Sequence, residues 1–142
     1  MTSAFWDSSA LVSLCVRQQA SRFARQLSKQ HRFVVWWCTP VEMQSAFERL
    51  ARMGQLSPSG YSMAVRHLAK MRTGWQEVHP TPSLRSQVES LLALYPLKAA
   101  DALQLSAALT WAGGFPKGRT FIASDGQLLD AARKVGFQAI DA

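Results

Sequence analysis

The sequence predicts an α/β protein built on a mainly parallel sheet, and three observations carry that expectation. Short apolar runs alternate with segments of helical periodicity, the order produced when strands are joined by crossover helices. The run Phe33-Val34-Val35-Trp36-Trp37 is apolar throughout, as a strand covered on both faces is. No repeat, low-complexity tract or long linker interrupts the chain, so residues 1–142 read as a single domain, large enough to bury roughly two-thirds of its unfolded surface.

Taken in order, Ala4 to Asp7 is a first short strand, followed by helices over Ser9 to Arg17 and Gln18 to Gln30. Arg32 to Cys38 is the second strand. Thr39 is the expected N-cap of a helix running to about Met53, with Pro40 in its first turn and Gly54 at its end. Ser57-Pro58-Ser59-Gly60 opens a helix reaching about Arg72, and Trp75 to His79 forms a short third strand. Helices over Pro82 to Leu94 and Leu97 to Ala112 are separated by Tyr95-Pro96, and Gly113-Gly114 stops the second. Thr120 to Ser124 is a fourth strand, Gly126 to Val135 the last helix and Phe137 to Ile140 a fifth strand.

Apolar residues make up 48% of the chain and charged ones 18%, with five Trp and seven Phe to fill a core. That composition needs no disulfide or structural zinc. Cys15 and Cys38 lie far apart and form no CxxC pair, so they read as reduced thiols of a cytoplasmic protein. Met1 to Ser9 lacks a basic start and a long apolar run, which gives no signal peptide, and no stretch reaches the ~18 apolar residues of a membrane span.

Sixteen basic against nine acidic side chains give a net charge of +7. The excess is concentrated between Arg17 and Arg72, where ten basic residues face only Glu42 and Glu48. A field of that sign attracts polyanions, although a solvated surface would carry it equally well. Arg22, Arg25 and Lys29 on one helix, with Arg66, Lys70 and Arg72 on another, are candidates for holding phosphates.

The acids fall into two kinds. Glu48, Glu89 and Asp130 each have a basic residue four positions away (Arg52, Arg85 and Lys134) and read as surface pairs, while Glu77 and Asp141 lie in polar or terminal stretches. Asp7, Glu42, Asp101 and Asp125 instead stand isolated in apolar surroundings. An isolated carboxylate there is costly unless a cation or hydrogen-bond donors meet it. Asp7 and Asp125 each follow a strand and precede a helix, which places both at carboxyl ends of parallel strands, where open α/β sheets bind ligands. Glu42 and Asp101 fall near helix starts that can face the same edge. If the four converge, their charges call for a counter-cation, and oxygen donors select Mg²⁺ or Mn²⁺ over zinc. Each also has a local role open to it: a Thr39-x-x-Glu42 capping box, an Asp125 N-cap, dipole compensation by Asp101, and a turn at Ser8-Ser9 for Asp7.

These segments resemble the PIN-domain nucleases, most closely the VapC-type toxins of VapBC toxin–antitoxin systems. Phe5-Trp6-Asp7-Ser8-Ser9-Ala10-Leu11 is similar to the first block of that family, and Pro40-Val41-Glu42-Met43-Gln44-Ser45-Ala46 to the second. Lys98-Ala99-Ala100-Asp101-Ala102-Leu103-Gln104-Leu105-Ser106-Ala107-Ala108 is the most specific match, and Phe121-Ile122-Ala123-Ser124-Asp125 resembles the fourth block. The resemblance implies a PIN-like three-layer sandwich with a five-stranded parallel sheet in the order 3-2-1-4-5. It further implies Mg²⁺- or Mn²⁺-dependent hydrolysis of RNA to 5′-phosphate and 3′-hydroxyl ends, a homodimer, and a small antitoxin whose tail covers the acidic pocket.

On this reading Asp7, Asp101 and Asp125 are metal ligands and Glu42 is a ligand or the base that activates water, while Ser9 and Ser124 lie near enough in sequence to support the carboxylates but are expected in ordinary turn or cap roles. Two other classes compete. A receiver-type phosphoacceptor normally pairs two adjacent acids after its first strand, and Asp7 has no acidic neighbour. A non-catalytic basic nucleic-acid-binding α/β module accounts for the charge but leaves four isolated acids unexplained.

Overall fold

The computed structural model describes residues 1–16 and 22–142. Its elements run β1 (Thr2–Trp6), α1 (Ser8–Cys15), α2 (Arg22–Gln30), β2 (His31–Trp36), α3 (Thr39–Arg52), α4 (Pro58–Arg72), β3 (Gln76–Val78), α5 (Pro82–Leu94), α6 (Ala99–Trp111), β4 (Thr120–Ala123), α7 (Gly126–Val135) and β5 (Gln138–Asp141). The strands form one five-stranded sheet in the order β3-β2-β1-β4-β5, and all four pairings are parallel. The expected sheet order is therefore observed. The expected junction between the first two helices, at Arg17 and Gln18, lies outside the described residues.

Two apolar cores sandwich the sheet, because successive side chains of a strand point to opposite faces. Ala4, Trp6, Val35 and Ile122 meet α1 to α4 on one face, with Leu11, Met43, Phe47 and Leu68 among their partners. Phe5, Val34, Trp36, Val78 and Phe121 meet α5, α6 and α7 on the other, with Leu84, Leu105 and Leu128. The rings of Phe5 and Phe121 stack at 5.5 Å across β1 and β4, and Phe137 extends the group at 5.6 Å from Phe121. The order of the strands places the reversal between the central pair β1 and β4. There the Asp7 amide donates to the Ile122 carbonyl at 2.9 Å and continues the ladder one residue past β1.

Local chemistry explains most boundaries. Ser57 and Thr81 accept from the third amide beyond them, Gly60 and Leu84, and each has proline in the first helical turn. Gly136 ends α7 with φ +117°, a backbone region closed to most side chains. Gly54, at φ +72°, follows the C-cap of α3 in the same way.

Two expectations at the start of α3 fail. Thr39 is not its N-cap: Cys38 holds that position with no side-chain bond, and Thr39 is the first helical residue, fully buried. Trp37 is not core either. β2 ends at Trp36, and Trp37, just past it, is 48% exposed. Among the described residues no helix is long and apolar enough to cross a membrane.

Because Phe121 lies at the centre of the stacked rings, Phe121→Ala is expected to cost about 3–5 kcal/mol, read as the shift in equilibrium urea unfolding.

Candidate active site

Asp7 directly follows β1, extended at φ −70° and ψ 152°, and caps α1. One of its oxygens, Oδ2, accepts from the Ser9 amide at 3.1 Å and from the Ser9 hydroxyl. That hydroxyl in turn accepts from the Ser124 amide at 2.9 Å, tying the turn after β1 to the turn after β4. Asp125 lies one residue further on and caps α7, its Oδ1 accepting from the Leu128 amide at 2.9 Å. The local roles open to Asp7 and Asp125 are thus both taken up, each by one oxygen of the carboxylate.

Glu42 is different. The capping box does not form, since Thr39 lies inside the helix and its Oγ1 accepts from Gln104 Nε2 at 3.2 Å. Glu42 Oε1 instead accepts from Ser8 Oγ and from Gln104 Nε2, both at 2.8 Å. The side chain that would have closed a local cap is drawn towards the turn after β1 and towards α6. Asp101 lies in the first turn of α6, half-buried, three residues before Gln104 on the same helix face.

All four carboxylates occupy one neighbourhood, as their mutual electrostatic influence shows. Asp7 feels the charges of Glu42 and Asp101, and Asp101 feels those of Asp125 and Glu42. Burial first, then Glu42 and Asp101, push the Asp7 carboxyl up to about 7 against the opposing bonds from Ser9. Burial and its two acidic neighbours also raise Asp101, with Lys98 acting in the opposite direction. Among the described residues no basic side chain contributes at Asp7.

The donor set suits a hard cation. Asp7 Oδ1, Glu42 Oε2, Asp125 Oδ2 and both oxygens of Asp101 accept no hydrogen bond among the described residues. All are carboxylate oxygens, the ligands of Mg²⁺ and Mn²⁺. Among the described residues no three His, Cys, Asp or Glu side chains stand in an arrangement that could hold a metal ion. Direct ligation by three of these carboxylates at once would need them to draw closer together, and an ion held as they stand would be reached in part through bridging water.

Ser8 and Gln104, which hold Glu42, are not among the candidates that the sequence offers. A signal for Gln104 existed: it is the lone amide in the apolar run of α6, at helical spacing from Asp101. Its Nε2 is fully engaged, while its buried Oε1 has no partner among the described residues. Ser124 supports the site through its amide, whereas its hydroxyl donates to the Ala142 carbonyl.

Elsewhere, surface acids bond to partners other than the basic residues four positions away. Glu48 Oε1 accepts from Tyr61 Oη and Gln44 Nε2, and these bonds, more than Arg52, hold its carboxyl below the usual range. Asp130 meets Arg133 rather than Lys134, at 3.4 Å. Arg25, Arg32, Arg66 and Lys70 line a groove of about 1230 Å³ together with His31 and His67, over apolar Phe33 and Met71. That groove includes Met1 and the first residues of β2, so it opens at the amino edge of the sheet, opposite the carboxylates.

No family model matches the chain, and no curated protein is significantly similar to it in sequence. Solved structures do share its architecture. PAE2754 from Pyrobaculum aerophilum superposes with a TM-score of 0.68 over 99% of this chain and 89% of its own, at 20% identity. A chain of a toxin–antitoxin complex from Klebsiella pneumoniae superposes at 0.59 over 87% of each, at 18% identity. At such identities the likeness establishes the fold.

Asp7 supplies a pH test. Between its unfolded value near 4 and about 7, the folded chain binds the extra proton, so stability present at low pH is lost as pH rises through about 7. In chelator, the melting temperature is expected to fall across that interval, and Asp7→Asn to flatten this part of the profile. An unchanged slope in the variant would show that Asp7 is not the group responsible.

Proposed function

We propose that this chain is a divalent-metal-dependent endoribonuclease of the PIN type, acting in the cytoplasm as the toxin of a toxin–antitoxin pair. The observation that carries the reading is the mutual electrostatic influence of Asp7, Glu42, Asp101 and Asp125, from four separate elements, with no basic side chain among the described residues acting on the buried Asp7. The two structural neighbours, one of them from a toxin–antitoxin complex, are consistent with it.

Asp7, Asp101 and Asp125 would hold Mg²⁺ or Mn²⁺ through the oxygens left without hydrogen bonds. When bound, such an ion supplies positive charge for the phosphodiester and lowers the pKa of water. Glu42, anchored through Oε1 by Ser8 and Gln104, keeps Oε2 available to take the proton of the attacking water. The new bond forms between that water oxygen and phosphorus, and the P–O3′ bond breaks. The products are a 5′-phosphate and a 3′-hydroxyl, the latter protonated from solvent. Ser9 holds Asp7 and the turn before Asp125 in a fixed relation throughout.

The same reading assigns the groove of Arg25, Arg32, Arg66 and Lys70 to an anionic partner, either RNA phosphates or an acidic antitoxin segment. It also includes a homodimer, which sedimentation of the purified chain measures directly.

The deciding experiment is cleavage of a mixed RNA pool with Mg²⁺ or Mn²⁺. Cleavage is expected to stop in EDTA and in Asp7→Asn and Asp101→Asn, and to fall by roughly 10²–10⁴ in Glu42→Gln. Undiminished cleavage in both aspartate variants would reject the site. Salt-sensitive RNA binding without any cleavage would favour the non-catalytic binding module. Gln104→Leu, which removes the amide from Glu42 but also the unpaired Oε1, is expected to leave the melting temperature nearly unchanged. Its Mn²⁺ affinity should drop by roughly 10–100-fold, as read by calorimetric titration.

A further inference from the structure

We propose that Trp37 and the hollow beside it form a subsite for an unpaired base of single-stranded RNA, next to the carboxylate cluster; this rests on the nuclease reading. The ring is the first indication. Trp6 and Trp36 are buried in the two cores, yet Trp37 is 48% exposed on a well-anchored backbone, its amide donating to the Val78 carbonyl at 3.0 Å. An aromatic side chain fixed in position at the carboxyl edge of a sheet is a ready stacking surface for a base.

Its surroundings are those of a base site rather than of a phosphate track. Trp37 shares a hollow of about 650 Å³ with Pro40, Val41, Gln44, Arg52 and Arg72, within the roughly 300–1,000 Å³ typical of ligand pockets. Glu48 and Glu77 also line it, so its formal charges cancel and it would not draw a run of phosphates by field alone. Both acids are engaged internally, Glu48 by Tyr61 and Gln44, and Glu77 by Trp75 Nε1 at 2.9 Å. Arg52 and Arg72 are exposed and form no salt bridge among the described residues, leaving two guanidinium groups for the phosphates flanking a stacked base.

None of the four carboxylates lines the hollow, but the backbone that carries the indole runs close to one of them. Trp37 precedes Cys38, whose carbonyl accepts from the Glu42 amide at 3.0 Å. One peptide step and one helical turn therefore separate the α-carbons of Trp37 and Glu42, about 10 Å at most. A base on the indole would lie roughly one or two nucleotides from a phosphate at the carboxylates.

The test uses the full chain and a short, mixed-sequence, single-stranded oligoribonucleotide with an abasic residue walked along it. In steady-state cleavage, Trp37→Ala is expected to raise KM roughly 5- to 100-fold with little change in kcat, and Trp37→Phe to restore most of the loss. One abasic position near the cut should impose the same penalty on wild type and none on Trp37→Ala. An unchanged KM, or an abasic penalty that persists in full in the variant, would overturn the subsite. So would a change in oligomeric state in Trp37→Ala, which would make this surface a contact between copies. If wild type cleaves no RNA, the nuclease reading fails separately. Fluorescence anisotropy with the same oligonucleotides then decides the subsite, since equal affinity of wild type and Trp37→Ala overturns it and weaker binding by the variant supports it.

Discussion

Four like charges held close together govern the structure around the carboxyl edge of the sheet. Bringing carboxylates into one partly dehydrated neighbourhood is unfavourable by itself, and burial adds to that cost at Asp7. The fold meets it with small donors rather than with salt bridges. Ser8, Ser9, Gln104 and two backbone amides each satisfy one oxygen of a carboxylate and leave another accessible. An arginine in their place would neutralise the site and remove its capacity to attract a cation.

The sheet makes this arrangement possible. Parallel pairing puts the ends of β1 and β4 side by side, and the order reverses there, so two acid-bearing turns meet without any helix between them. Helices on opposite faces supply the other two acids: α3 brings Glu42 from one layer and α6 brings Asp101 from the other. The Gln104 amide, reaching from α6 to Glu42 and Thr39, locks the layers together at the site.

Charge is also segregated across the molecule. Acids gather at the carboxyl edge, while Arg25, Arg32, Arg66 and Lys70 converge on a groove at the amino edge. The two fields are separated by the length of the strands, so a polyanion can be attracted by one surface without being neutralised at the other. Cys15 fits the same division of roles: its thiol, pushed up to about 12 by burial, packs 3.6 Å from the Met71 sulfur as core rather than as a nucleophile.

The sequence alone determined the α/β class, the order of elements and the four isolated acids, because helical and strand periodicity are local and an acid without a nearby base stands out in any short window. Helices α5 and α7 were legible to the residue, since proline, glycine and capping side chains mark both ends. Tertiary structure decided everything that depended on partners distant in the chain. The Thr39-x-x-Glu42 pattern was a sound local signal, but Ser8 and Gln104, 34 and 62 residues away from Glu42, outcompete the cap. Ser9 joins Ser124 across 115 residues, a pairing no window can contain. Trp37 looked like core because it continues an apolar run. Only the tertiary structure, which ends β2 at Trp36 and sets Trp37 in an open hollow beside α3 and α4, leaves the indole half exposed.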